Sequence, residues 1–111
     1  MTLSNLSQTP RSPVPQEVST ELRRVVERWH QMPLDHALSY AGLVRALVQI
    51  LADGVARATG VPGSEVPDLG PATLMDQLTV MVYDASAAAL TSSALTSTFA
   101  QDLASLRREL R

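Results

Sequence analysis

The segment from Pro71 to Leu90 is the most apolar stretch of this chain and constrains its fold more than any other. Placed at about 100° per residue, its apolar side chains gather on one side of a helix and its polar side chains on the other. The apolar side consists of Leu74, Leu78, Met81, Val82, Ala85, Ala88 and Ala89. The segment therefore predicts a core helix that keeps one face in water.

Three other segments show the same periodicity, and the sequence predicts helices at 15–31, 36–59, 71–90 and 94–110. Pro33 ends the first helix, because the residue before a proline is driven out of the helical region. Asp35 is expected to cap the second helix, and Gly60 followed by Pro62 ends it. Since short connections join antiparallel neighbours, the predicted fold class is all-α, an antiparallel up-down four-helix bundle.

The connection between the last two predicted helices leaves an alternative open. Ser and Thr are frequent around residues 91–93, and they favour helix caps over helix interiors. No Gly or Pro forces a break there, so the alternative fold has three helices, the last one long and continuous over about 71–110. Residues 1–14 are polar and proline-rich and are expected to form a flexible N-terminal tail, with residues 15–111 as a single helical domain.

Composition excludes several classes of function. The chain has 111 residues, enough for one domain with its own core, and no cysteine, which excludes disulfides, thiolate nucleophiles and cysteine-ligated zinc. Its net charge is −2, whereas a DNA-binding domain carries a basic surface, so no nucleic-acid partner is expected. All nine basic residues are arginine, and together with abundant Ala, Leu and Val this usage is typical of GC-rich bacterial genomes.

Charged and amide side chains interrupt the apolar runs of the predicted helices. Arg45, Gln49 and Asp53 do so in the second helix, which keeps its apolar run well below the ~20 residues that span a bilayer. The N-terminal segment also lacks the charged and apolar regions of a secretory signal. The expected location is the cytoplasm, with no membrane partner.

His30, Asp35 and His36 are of the residue types that ligate metals, and they are weak candidates for the site of a metal-dependent hydrolase. Their spacing does not match the i, i+4 arrangement that places two ligands on one helix face. The chain also has no Gly-x-Ser-x-Gly nucleophile motif and no glycine-rich phosphate loop. We therefore expect no cofactor and no enzymatic function.

Apolar side chains outside the predicted core favour contact with another helix. Val80 and Ala87 lie among polar groups on the third predicted helix, and the last helix carries a narrow apolar stripe suited to a helix–helix seam. The interface candidates are Val80, Tyr83, Ala87, Leu95, Phe99 and Leu106. The expected function is that of a small non-enzymatic interaction module, which binds itself as a homodimer or binds another helical protein.

A pocket between the helices is the alternative expectation. Methionine side chains adapt to irregular pockets, and a tyrosine or an aspartate at the edge of an apolar face can orient a ligand. The pocket candidates are Trp29, Met75, Met81, Tyr83 and Asp84. With such a pocket, the protein is a small-molecule sensor or binding protein.

Overall fold

The computed structural model describes residues 12–89 and 93–111, together with the side chains of this part of the chain except those of residues 93–97. Its α-helices are Gln16–Gln31 (α1), Leu34–Leu38 (α2), Ala41–Thr59 (α3), Leu74–Ala88 (α4) and Ser93–Glu109 (α5). A 3₁₀ turn, Pro71–Thr73, leads into α4. The described residues contain no strand, so the predicted all-α fold class is confirmed. The predicted tail falls largely outside the described residues.

Two predicted helix ends are confirmed. Gly60 follows α3 with φ 73°, a left-handed conformation that suits glycine, and its N–H donates to the carbonyl of Ala56. Helix α4 ends at Ala88, and α5 begins as a separate helix at Ser93. The alternative of one continuous helix over about 71–110 is therefore wrong.

The second predicted helix, 36–59, is divided in the structure. Helix α2 begins at Leu34, directly after Pro33, so Asp35 lies in its first turn instead of capping it. The N–H groups of Ser39 and Tyr40 then donate to carbonyls three residues earlier, which tightens the backbone and ends α2. The predicted single helix was wrong here because neither glycine nor proline marks the break.

The segment of residues 60–70, called the crossover segment below, runs back along α3 from its end toward its start. The side-chain oxygen of Gln49 accepts a hydrogen bond from the N–H of Val66 at 2.8 Å. One turn nearer the start of α3, the guanidinium of Arg45 lies 2.9 Å from the carboxylate of Asp68. The crossover segment therefore covers the polar stripe of α3, formed by Arg45, Gln49 and Asp53, and returns the chain to the beginning of that helix.

Helix α4 consequently runs in the same direction as α3. Gln77, near the start of α4, lines a cavity with Gln49 in the first half of α3. Ala88, at the end of α4, lines another with Ala58 near the end of α3. The bundle thus differs from the predicted antiparallel up-down order at this connection, because the crossover segment spans the length of α3 before α4 begins.

The core lies between two extensively packed helix pairs, α3 with α4 and α1 with α5. An ion pair between Glu21 of α1 and Arg107 of α5, 2.9 Å apart, joins the second pair. The largest fully buried side chains are Leu74, Leu78, Leu103, Leu110, Val18, Val25, Val44, Val48 and Val82. Helices α3 and α5 touch each other much less, and this leaves a groove between them.

Candidate functional site

The groove between α3 and α5 consists of two neighbouring cavities that share Ile50 and Asp102 in their walls. One cavity, of about 200 Å³, lies toward the start of α3 and is lined by Leu43 and Leu106. The other, of about 350 Å³, lies toward the end of α3 and is also bounded by α4. Phe99 of α5 lines this larger cavity. Most of the surface along the whole groove is apolar.

An exposed apolar ridge on α3 borders this groove. Leu43 is 44% exposed and Ile50 is 58% exposed, and the exposed Ala46 lies between them. Leu43 and Ile50 are seven residues apart, so they lie on the same line along the helix. Because the crossover segment already covers the polar stripe of α3, the side of the helix left in water is this apolar one.

Charged side chains lie at both ends and in the middle of the groove. Arg57 lies at the end of α3 and Glu109 at the opposite end of the groove, beside Leu43. Among the described residues, neither of these two charges belongs to an ion pair. Asp102 lies between them, and removal from water raises the pKa of its carboxyl above the ordinary value of 3.8.

The predicted interface residues fall on two separate surfaces. Phe99 is half-buried and Leu106 is buried, and both line the groove between α3 and α5. Val80, Tyr83 and Ala87 are exposed on the outer side of α4, as predicted. The side chain of Leu95, the sixth candidate, lies outside the described residues.

The outer side of α4 carries a smaller apolar region. Val80, 53% exposed, and Leu69 of the crossover segment, 61% exposed, line a shallow cavity of about 320 Å³ with Met81. Asp76 and Gln77 also line it, although most of its surface is apolar. This region is a single cavity, whereas the groove between α3 and α5 consists of two adjoining ones.

The predicted pocket residues are dispersed. Trp29 and Met75 are buried in the core cluster, whereas Tyr83 is 51% exposed and Asp84 is half-buried on α4. Met81 lines two shallow cavities beside the crossover segment. None of these five residues lines the larger cavity of the groove, which is formed by other side chains of α3, α4 and α5.

The predicted metal candidates lie on the surface, and His30 and Asp35 are both exposed. His36 instead bonds through its Nε2 to the main-chain oxygen of Arg111, and its ring meets that of Tyr40 edge to face. Within residues 12–89 and 93–111, no group of three or more His, Cys, Asp or Glu side chains could hold a metal ion. The role of His36 in this structure is to attach α2 to the end of the chain.

The sequence pattern did not predict five residues that line the groove, Leu43, Ile50, Arg57, Asp102 and Glu109. A signal was present, because the polar residues of α3 occupy a single narrow stripe and the rest of the helix surface is apolar. The few helices of a short chain cannot cover all of that surface, so some apolar side chains of α3 stay exposed. What the sequence lacked was the position of α5 beside these side chains.

No helix in the described part of the chain combines the length and the hydropathy needed to cross a membrane. Comparisons of the chain with models of protein families, with curated proteins and with solved structures found no match.

Proposed function

We propose that this protein is a small non-enzymatic helical interaction module that associates with itself as a homodimer. The observation that carries the proposal is the exposed ridge of Leu43, Ala46 and Ile50 on α3, beside an apolar groove. Exposed apolar surface of this kind marks contact sites in soluble proteins. A cytoplasmic location, as expected from the sequence, belongs to the same proposal.

A second copy of the chain suits this surface because the ridge and the groove lie side by side. In a two-fold dimer, the same patch is used on both copies and must be complementary to itself. The ridge of each copy can enter the groove of the other. The interface is then formed by four helices, α3 and α5 from each copy. Arg57 and Glu109, which form no ion pair with other described residues, have opposite signs, so each can face the other across a two-fold axis. Asp102 is the carboxylate of the groove that this pairing leaves without an opposite charge.

Size-exclusion chromatography with light scattering at micromolar concentration tests the proposal. We expect twice the chain mass of 11.9 kDa for the native protein. Ile50→Asp places a charge at the centre of the apolar contact and should give a monomer. Val80→Asp is the matched control, since Val80 has a similar exposure, 53% against 58%, on another helix, and it should leave the dimer intact. A monomeric native protein contradicts the proposal.

Small-molecule binding is a second candidate function, favoured by the 350 Å³ cavity between α3, α4 and α5. Its walls are mostly apolar with one carboxylate, Asp102, and this combination is typical of sites for small ligands. Binding of the dye anilinonaphthalene sulfonate tests it. The fluorescence gain should be lost in Ala88→Leu, which fills the cavity, and should be unchanged in Ala87→Leu on the outer side of α4. Equal fluorescence in both variants contradicts this candidate.

A further inference from the structure

We infer that two copies of the chain pair with their α3 helices antiparallel, around a two-fold axis at Ile50, so that Arg57 of each copy faces Glu109 of the partner subunit. This inference rests on the proposed self-association and specifies its geometry. It follows from the positions of small, large and charged side chains along α3 on either side of Ile50.

The groove-lining positions of α3 are spaced symmetrically about Ile50. Leu43 precedes Ile50 by seven residues and Arg57 follows it by seven, which is about 10 Å along the helix in each direction. Two antiparallel α3 helices that cross at Ile50 therefore place Leu43 opposite Arg57 of the partner subunit. Both positions line the groove, so this register buries the apolar ridge of each copy.

Arg57 and Glu109 become partners in this register. Glu109 lines the same cavity as Leu43, so Arg57 of the partner subunit arrives beside Glu109. The two-fold axis repeats the contact, so the dimer gains two ion pairs, each between Arg57 of one copy and Glu109 of the partner subunit. A parallel pairing would instead place Arg57 beside Arg57 of the partner subunit, where like charges repel.

Small residues allow the two helices to approach closely near the axis. Ala46 lies four residues before Ile50 and Gly54 lies four residues after it, and both line the groove. In the antiparallel register, Ala46 of one copy lies opposite Gly54 of the partner subunit. The Arg57 guanidinium, which lies 3.9 Å from the Cβ position of Gly54, must turn toward Glu109 for this approach. The bulky Ile50 side chain of each copy then enters the groove of the other copy, at the point where its two cavities adjoin.

Cysteine crosslinking tests the register, and the chain is suited to it because it contains no native cysteine. Ile50→Cys should form a disulfide-linked dimer with itself, since a disulfide needs Cα atoms within about 7 Å. Leu43→Cys and Arg57→Cys, each about 20 Å from its own copy, should link only when the two variants are mixed. Val80→Cys, exposed on α4, is the control that should stay unlinked.

Charge reversal tests the ion pairs independently of crosslinking. Arg57→Glu and Glu109→Arg should each weaken the dimer about tenfold, because each places like charges opposite one another. The double variant should recover the native affinity, and circular dichroism verifies that each protein remains helical.

The outcomes separate this inference from the proposed function. A monomeric native protein overturns both. A native dimer overturns the antiparallel register alone if Leu43→Cys and Arg57→Cys each link with themselves, or if the double charge variant stays as weak as the single ones.

Discussion

At the scale of single residues, Ser86 is a buried polar group without compensation. Its side chain is 3% exposed, and its hydroxyl has no hydrogen-bond partner within the described residues. We expect Ser86→Ala to raise the free energy of unfolding by about 1–2 kcal/mol, because alanine removes an unsatisfied hydroxyl and favours the helix. Urea unfolding measures the change. Ser19→Ala, at a partly exposed position in α1, should give only the smaller gain from helix propensity, and equal gains would contradict the prediction.

The ion pair between α1 and α5 should make stability depend on pH. A hydrogen bond from Arg107 is the main reason that the pKa of Glu21 lies below its ordinary value of 4.5, and the positive charge of Arg24 lowers it further. The folded state therefore favours ionised Glu21, and this stabilisation is present above the unfolded pKa and is lost as the pH falls through the folded pKa.

Glu21→Gln tests that dependence. At neutral pH we expect it to lower the free energy of unfolding by about 0.5–1 kcal/mol, a modest loss because Arg107 is partly exposed. Below the folded pKa of Glu21, the native and variant proteins should unfold at the same denaturant concentration. A loss that persists at that acidity would show that the glutamine disturbs packing instead of charge.

Which residues are buried was predictable for α4 and only partly predictable for α3. Helix α4 has one wet side, so its period alone identified Leu78 and Val82, which are 0% and 1% exposed. Helix α3 is apolar on more than one side, and periodicity cannot decide which apolar side faces the core. Ile50 and Leu43 were therefore missed, because their exposure depends on the position of α5 and not on their own neighbours in sequence.

At the scale of elements, Gln49 attaches the crossover segment to α3. Its oxygen accepts the N–H of Val66, and its amide donates to the carbonyl of Ser64 at 3.1 Å and to Asp53 at 2.9 Å. Gln49→Ala should cost about 1–2 kcal/mol, since it leaves a partly buried main-chain N–H unpaired. Hydrogen exchange should accelerate at the Val66 amide.

An exposed contact on the same segment provides the comparison. Asp68→Asn removes the ion pair with Arg45, whose two side chains are 42% and 61% exposed in the order Arg45 and Asp68. We expect a cost below about 0.5 kcal/mol and little change in exchange at Val66. If both variants cost the same, Gln49 is not the main attachment of the crossover segment.

At the scale of the whole molecule, the direction of α4 could not be predicted from the length of its connection. Eleven extended residues reach about 35 Å, while α3, with 19 residues, is about 28 Å long. The crossover segment can therefore either turn at the end of α3 or return along its full length. The contacts of Gln49 and Arg45 with the crossover segment hold it along the second of these paths. Their partners in that segment, Val66 and Asp68, can be recognised only once the chain has folded.

The assembly proposed above should respond to pH through Asp102. Desolvation raises the pKa of its carboxyl, and a second copy that covers the groove removes still more water from it. Association then takes up protons, so the dimer should tighten as the pH falls through the raised pKa of Asp102 and weaken above it. The charged side chains facing this region are Arg57 from α3 and Glu109 from α5, while α4 contributes alanines.

Asp102→Asn separates this effect from the ion pairs, because the amide is neutral at every pH. At neutral pH we expect the variant to dimerise several-fold more tightly than the native protein, as measured by sedimentation equilibrium. The carboxylate of Glu109 faces Arg57 of the partner subunit in the same dimer. The comparison is therefore repeated in Glu109→Gln, where the dimer should tighten with acid only if Asp102 is present. Equal affinities with and without Asp102 at every pH would mean that the dimer forms on another surface, and the outer side of α4, with Val80 and Tyr83, is then the surface to test.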